Sequence, residues 1–304
     1  MTPTVAITGA TGFLGLHLVK TLAGEGANIR ILARRNPAHE FWTGLDFETI
    51  YGSLEQPETL AQLVRGADVV IHAAGLIKAP NLATFLQANR NGARAVAIAA
   101  RLHAPAAQFI HVSTLAAREP HISEYAFSKH AGEEAVRSVY MDAEEQLTVI
   151  RPPVLYGPWD KATLVIFKAA ALPFTPVLSH GRASVLHVTD AATALAQLAL
   201  GDPQPGLFAL PGGNYSHDEI MIEAARAQGL SARLFRIPAP IVRTAGTISG
   251  LFGKAPIFTA GKARELLHPD WVVHPREALS YVPKIGIAEG FRETVAWYRS
   301  ENWL

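Results

Sequence analysis

The sequence predicts an α/β fold, a doubly wound parallel sheet with a smaller C-terminal substrate lobe. Three observations lead there. Through the first half, short apolar runs alternate with segments of helical spacing, the pattern of strand–helix–strand units packed as a parallel sheet. The first run ends in a turn with glycines at every third position, which opens a helix. Beyond Arg151 the alternation loosens and proline and glycine accumulate, from Pro158, Pro173 and Pro176 to Pro211-Gly212-Gly213.

The elements follow in order. Thr4–Thr8 is a short apolar run that stops at Gly9. Residues 13–23 place Leu14, Leu18 and Leu22 on one helical face, closed by Gly24 and Gly26. Asn28–Ala33 reads as the second strand and residues 47–51 as the third; Pro57 then opens a helix over 58–64. Val69–His72 is a buried strand ending at Ala73-Ala74-Gly75, followed by an alanine-rich helix over 89–102. Residues 109–112 form the fifth strand, 124–140 a helix, and Leu147–Arg151 a sixth strand before Pro152-Pro153. Residues 185–188 and 190–200 read as one more strand and helix returning to the main sheet, and 290–304 as an amphipathic helix rich in aromatics. The expected organisation is a dinucleotide-binding domain over 1–155, rejoined by 183–205, with 156–182 and 206–304 forming a mostly helical lobe.

Bulk properties narrow the class. With 49% hydrophobic and 17% charged residues the chain can bury a sizeable core. A net charge of +1 makes no electrostatic case for nucleic acid or an anionic membrane, so neither partner is expected. There is no cysteine, which excludes thiolate chemistry and fits a reducing compartment. The first strand begins at Thr4, leaving no signal-peptide pattern, and the most apolar stretch, 164–178, is broken by Lys168, Pro173 and Pro176. A soluble cytoplasmic protein is expected.

The turn Thr8-Gly9-Ala10-Thr11-Gly12-Phe13-Leu14-Gly15 carries the first chemistry. Gly9 permits the tight turn, Gly12 lets backbone approach a pyrophosphate, and Gly15 lets the helix pack closely on the strand. The helix N-terminus offers its N–H groups and positive dipole end to phosphate, as in a Rossmann-type dinucleotide site. A carboxylate about 20 residues further on would bond a ribose 2′-hydroxyl. The sequence there reads Ala33-Arg34-Arg35, and guanidinium forks suit a 2′-phosphate. NADP(H) is the expected cofactor, with NAD possible.

Tyr125 and Lys129 stand four residues apart, which stacks them on one helical face. An ammonium beside a phenol favours phenolate, so Tyr125 is a candidate acid/base for a carbonyl or hydroxyl. Val112-Ser113-Thr114 brings hydroxyls to the carboxyl end of the fifth strand, where open α/β sheets place ligands. Thr114 is assigned to the substrate oxygen, Tyr125 to the proton, and Lys129 to Tyr125 and the nicotinamide ribose. None of the 12 histidines has metal-site spacing with a supporting carboxylate, so no metal is expected. His72, His111 and His187 read as core or cofactor-adjacent, and Glu133 and Glu134 as a solvated helix face.

With these motifs in this order the sequence resembles the extended short-chain dehydrogenase/reductase family, which includes nucleotide-sugar epimerases and dehydratases. The resemblance rests on the glycine loop, Asp68 in GADVVIHAAG, Asn89-Arg90-Asn91-Gly92, Ser113-Thr114 and Tyr125-Ala-Phe-Ser-Lys129. Further matches are Arg151-Pro152-Pro153-Val154-Leu155-Tyr156-Gly157-Pro158, His187-Val188-Thr189-Asp190 and Trp297-Tyr298-Arg299. It implies catalysis by Thr114, Tyr125 and Lys129. It also implies cofactor contacts from Gly9, Thr11, Gly12, Phe13, Leu14 and Gly15, from Arg34, Arg35, Ser53 and Leu54, and from Ala73, Ala74, Gly75, Asn89 and Val112. Tyr125 and Lys129 serve both roles, and Pro152 and Val154 match positions near the nicotinamide. Thr114 and Tyr125 are only 11 residues apart, where the sugar-nucleotide enzymes have a longer substrate loop. The arginine those epimerases carry before Asp-aromatic-x-His-Val is one position off at Arg182, and Ser53 replaces an acidic residue near the adenine. The run from His111 to Ala117 resembles a divergent branch that includes an accessory subunit of respiratory complex I.

The leading expectation is an NADP(H)-dependent reductase or dehydrogenase on a carbonyl/alcohol pair. The apolar 164–178 stretch points to an uncharged or partly hydrophobic small-molecule substrate. The alternatives are a nucleotide-sugar epimerase/dehydratase with tightly bound NAD(P), and a non-catalytic NADPH-binding assembly or sensor protein. A homodimer through the 124–140 helix is the expected self-association.

Overall fold

The first strand, Thr4–Thr8 (β1), buries Val5, Ala6 and Ile7 completely, as a central parallel strand covered on both faces must. In a computed structural model, which describes residues 2–178, 180–251 and 258–304, the chain continues through Phe13–Gly24 (α1), Asn28–Ala33 (β2), Glu48–Tyr51 (β3), Pro57–Val64 (α2) and Val69–His72 (β4). Leu82–Leu86 (α3), Ala93–His103 (α4), Gln108–Val112 (β5), Glu124–Val139 (α5) and Leu147–Arg151 (β6) complete the first run. Next come Val154–Tyr156 (β7), Leu164–Ala170 (α6), Thr175–Val177 (β8), Arg182–His187 (β9), Val188–Leu200 (α7) and Gly206–Ala209 (β10). The chain ends with Gly213–Ser216 (β11), His217–Ala227 (α8), Leu234–Arg236 (β12), Ala239–Leu251 (α9), Ala260–Leu267 (α10), Asp270–Trp271 (β13) and Ile287–Ser300 (α11). No described helix is long and apolar enough to cross a membrane.

Two compact units divide the chain: Met1–Arg151 with Ala192–Phe208, and Pro152–Ala191 with Ala209–Leu304. The first is built on a seven-stranded sheet in the order β10-β6-β5-β4-β1-β2-β3. The ladders β1–β2, β1–β4, β2–β3, β4–β5 and β5–β6 are all parallel. Strand order reverses between β1 and β4, which opens a crevice at their carboxyl ends, Thr8 and His72. One side of the sheet buries Val70, Phe109 and Val149 against Leu60, Leu63 and the small residues Ala93, Ala97 and Ala100. Each fully buried large apolar side chain contributes roughly 1.5–3 kcal/mol, and the alanines let α4 approach the strands closely.

The second unit carries short strands as well as its helices. It holds a four-stranded sheet, β11-β9-β13 with β7 also on β9, and a ribbon of β8 and β12. β9, expected to return to the main sheet, pairs here with β7 in parallel and β11 antiparallel, and β10 takes the outer place in the large sheet. The cause is pairing over distance: β9's apolar pattern fits either sheet, and the short β7 and β11 supply its ladders. The second core gathers Phe167, Ile220, Met221, Ala224, Phe291 and Val295. Asp190 fixes the loop before α11, accepting from Tyr281 Oη at 2.7 Å and from the N–H groups of Lys284 and Ile285 at 3.0 and 2.9 Å.

Candidate active site

The glycine turn sits at the β1/β4 crevice. Gly9 has φ +78°, and a Cβ there would lie 2.5 Å from the Ala74 nitrogen and 2.7 Å from the Ala73 oxygen. A Cβ on Gly15 would lie 2.1 Å from the Gly9 oxygen. Only hydrogen fits at both places, so the turn closes directly onto Ala73-Ala74 and α1 starts against the turn. Gly12 is the helix N-cap and makes no side-chain cap bond, so the first N–H groups of α1 face a cradle lined by backbone. That donor set suits a pyrophosphate, and the residues present fit a dinucleotide cofactor.

A connected polar network continues from this cradle. A Cβ on Gly75 would lie 3.0 Å from Asn89 Oδ1 and 3.6 Å from Lys129 Nζ. Asn89 sits in a π-helical turn, Gln87–Gly92, rather than at the start of a regular helix. Such turns recur at functional sites because they push one residue out of register. Its buried amide accepts from the Leu76 N–H at 2.7 Å and donates to the Leu76 oxygen and to Ser128 Oγ at 3.0 and 2.9 Å. Ser128 Oγ in turn donates to the main-chain carbonyl oxygen of Tyr125 at 2.8 Å. The extended Ala73-Ala74-Gly75-Leu76 segment is thus tied to the first turns of α5.

α5 begins at an N-cap, Ser123, whose hydroxyl accepts from the Ala126 N–H at 3.0 Å. The cap sets Tyr125 in the first turn, half-buried, with its ring 6.1 Å from Phe85. Lys129, one turn on and buried, donates to the Val112 oxygen at 2.9 Å. Burial lowers its pKa from 10.5 to about 8, and the charge of Glu133 opposes the shift. Thr114 follows, half-buried, its hydroxyl oxygen accepting from the Ala116 N–H at 3.3 Å and its O–H left able to donate. Ser113 is different. Its hydroxyl is buried and donates to Glu133 Oε1 at 2.6 Å, so Thr114 is the hydroxyl left for a substrate.

Glu133 corrects the expected solvated face. It is fully buried and held by Arg151 through two bonds, Nε to Oε1 at 2.8 Å and Nη2 to Oε2 at 2.7 Å. The fork joins the end of β6 to α5 and, through Ser113, to the end of β5. Glu133 lies one turn beyond Lys129, on the face that carries the candidate site. Glu134 pairs instead with Arg137 at the surface.

His72 and His111 are register neighbours on β4 and β5, stacked at 5.4 Å and fully buried. Burial holds both far below the ordinary 6.5, His72 at about 3, and the Lys129 charge adds to the effect. Both rings are neutral, and His72 Nδ1 meets Thr8 Oγ1 at 2.7 Å beneath the glycine turn.

The remaining candidates lie around the same sheet or outside it. Arg34 and Arg35 follow β2 and are exposed. The Gly52 N–H bonds to the Ala33 oxygen at 3.0 Å, which brings the chain just before Ser53 beside them. The Ser53 N–H is taken by Gln56 Oε1, and Leu54 packs where a Cβ on Gly92 would fall, 2.7 Å from its Cδ1. Thr11, Phe13 and Leu14 lie on the turn and the start of α1. Pro152 and Val154 belong to the second unit, Pro152 buried and Val154 exposed on β7.

A parallel sheet with a glycine cradle at its switch point and a Thr/Tyr/Lys set beside it defines a nicotinamide-dependent enzyme of the dehydrogenase and epimerase type. The NAD dependent epimerase/dehydratase family matches residues 5–206, and the chain belongs to it. Among curated proteins it is 47% identical to the ceramide reductase of Caulobacter vibrioides, over 99% of this chain and 96% of that one. It is 28% identical to the mitochondrial NADH-ubiquinone oxidoreductase 40 kDa subunit of Neurospora crassa, over 90% of this chain and 72% of that one. Among solved structures, the UDP-glucose 4-epimerase of Thermus thermophilus in complex with NAD superposes with a TM-score of 0.72 at 19% identity, covering 97% of this chain and 99% of that one. That likeness shows the fold. The protein is therefore an NAD(P)-dependent enzyme of this family.

Proposed function

We propose that the protein is an NADP(H)-preferring reductase that acts on a keto group of a ceramide-type lipid. The observation that carries this reading is the Lys129–Val112 bond, which anchors the helix bearing Tyr125 beside Thr114 at the carboxyl end of β5. The 47% identity to a ceramide reductase along nearly the whole chain supplies the substrate class. When bound, the reduced cofactor would supply a hydride for the carbonyl carbon. Tyr125 gives its phenolic proton to the carbonyl oxygen and Thr114 donates a hydrogen bond to that oxygen. The Lys129 ammonium stabilises the resulting phenolate, and solvent restores its proton. Arg34 and Arg35 support the phosphate-bearing cofactor by their charge and exposure at the end of β2.

Two measurements test this. With a keto-ceramide and NADPH the protein should oxidise NADPH, and Tyr125→Phe should slow the reaction by about 10²-fold or more; full activity in that variant would sink the mechanism. Replacing Arg34 and Arg35 together by Asp should weaken NADPH far more than NADH, and equal loss of both would refute the preference. The similarity to a complex I subunit favours a second reading, a tightly held structural cofactor without turnover. It predicts co-purified NADPH and no oxidation with any keto-lipid.

A further inference from the structure

The net charge of +1 conceals a segregation. Of the chain's 27 Lys and Arg, ten fall within residues 161–189 and 224–264, and all 26 Asp and Glu lie outside those two stretches. Both stretches belong to the second unit. They meet in the β8–β12 ribbon, where Thr175 pairs with Leu234 and the Thr175 N–H donates to the Arg233 oxygen at 2.8 Å.

The same ribbon shows apolar side chains to solvent. Leu172 and Phe174, just before β8, are 52% and 66% exposed, and Phe235 on β12 is 57% exposed. Ile241, in the first turn of α9, is 58% exposed. Single exposed apolar residues are ordinary, but this run is clustered by the strand pairing. Cations sit among them. Arg226 and Arg236 are paired with Glu223 and Asp218, and Lys262 with Glu265. Among the described residues, Lys168 on α6, Arg233 and Arg243 on α9 have no acidic partner.

We propose that this face of the second unit docks on an anionic lipid bilayer. Aromatic and aliphatic side chains interleaved with unpaired cations, beside carboxylates already paired to Arg226, Arg236 and Lys262, complement a layer of acidic headgroups over hydrocarbon. Duplex nucleic acid would match the charge and not the exposed rings, and stacked single-strand bases would not match the exposed aliphatic Leu172 and Ile241. No described helix spans a membrane, so the association is peripheral. The inference rests on the proposed ceramide-type substrate for its purpose, since such a lipid resides in a bilayer and must be met there.

The test is co-sedimentation of the full chain with vesicles free of ceramide and cofactor, which keeps it separate from the reductase reading. The protein should pellet with vesicles of phosphatidylcholine containing one-third phosphatidylglycerol, much less with phosphatidylcholine alone, and less as salt rises. Lys168→Glu/Arg233→Glu/Arg243→Glu should weaken vesicle affinity at least about tenfold, at roughly 1 kcal/mol per surface cation. Phe174→Ser/Phe235→Ser should weaken it comparably while leaving NADPH oxidation with a short-chain, water-soluble keto-ceramide unchanged. Sedimentation independent of phosphatidylglycerol, unaltered binding by both variants, or concentration-dependent self-association abolished by the same substitutions would each overturn the proposal. So would failure to bind vesicles together with capture of an acidic protein on this face.

Discussion

Glu133 decides more of the site than its place in the sequence suggests. Lys129 must keep a proton in a buried position, and the carboxylate one turn away is the charge that opposes its loss. Glu133→Gln should therefore move the alkaline limb of kcat/KM to lower pH and, by leaving Arg151 unpaired, destabilise the fold by about 3–5 kcal/mol. Glu133→Gln/Arg151→Met should recover much of the stability but not the pH limb, because the limb follows the lost charge. Parallel melting curves and pH–rate profiles separate the two effects. Lys129 itself gives a second test. Its pKa falls on folding, so the unfolded chain binds the extra proton between about pH 8 and 10.5 and stability rises through that window. Lys129→Met should gain about 3 kcal/mol in the cofactor-free protein at pH 7, and the gain should vanish toward pH 10.5. The placement of Tyr125 and Lys129 on one helix and of Thr114 after one strand was readable, because such spacing is a local fact. Glu133 was not: the sequence Gly-Glu-Glu reads as a solvated face, and its burial depends on Arg151, which reaches it from another strand.

At the level of elements, the glycine turn and the paired strands β4 and β5 impose the tightest limits. Gly15→Ala must place a methyl within 2.1 Å of the Gly9 oxygen, so α1 has to shift away from the turn. NADPH affinity should fall at least about tenfold, as one displaced charge-assisted phosphate contact is worth roughly 1.5–3 kcal/mol; titration of NADPH fluorescence reads it. The histidine pair sets an acid limit. Both rings titrate far below 6.5 in the fold, so stability is full above that pH and is lost as pH falls toward about 3, where the unfolded chain alone takes up protons. His111→Gln should flatten the dependence of melting temperature on pH between 6.5 and 4. The strand–helix alternation was legible because each unit announces itself within a few residues. The placement of β9 was not, since short strands carry no address and their partners are set by contacts far along the chain. The π-helical turn at Asn89 left no signature that helical periodicity could reveal.

At the scale of the molecule, net charge was the misleading quantity. A value of +1 averages two acid-free stretches of chain against an acid-rich remainder, and only the positions of the carboxylates show the division. Fold class and cofactor class were legible from ordered motifs, whereas the proposed substrate class draws on the whole-chain relative. The two units are interleaved along the chain, because the first needs residues 192–208 after the second has begun. Thr148 on β6 donates to the Gln204 oxygen at 2.7 Å, and β10 covers the edge of β6. During synthesis, then, the nucleotide-binding half cannot be sealed when residue 151 leaves the ribosome. At some 5–20 residues per second it stays open-edged for several seconds more, with β6 exposed to pairing with other chains. A chain stopped at Arg151 is a nascent intermediate rather than a domain, and should aggregate where the full-length protein does not.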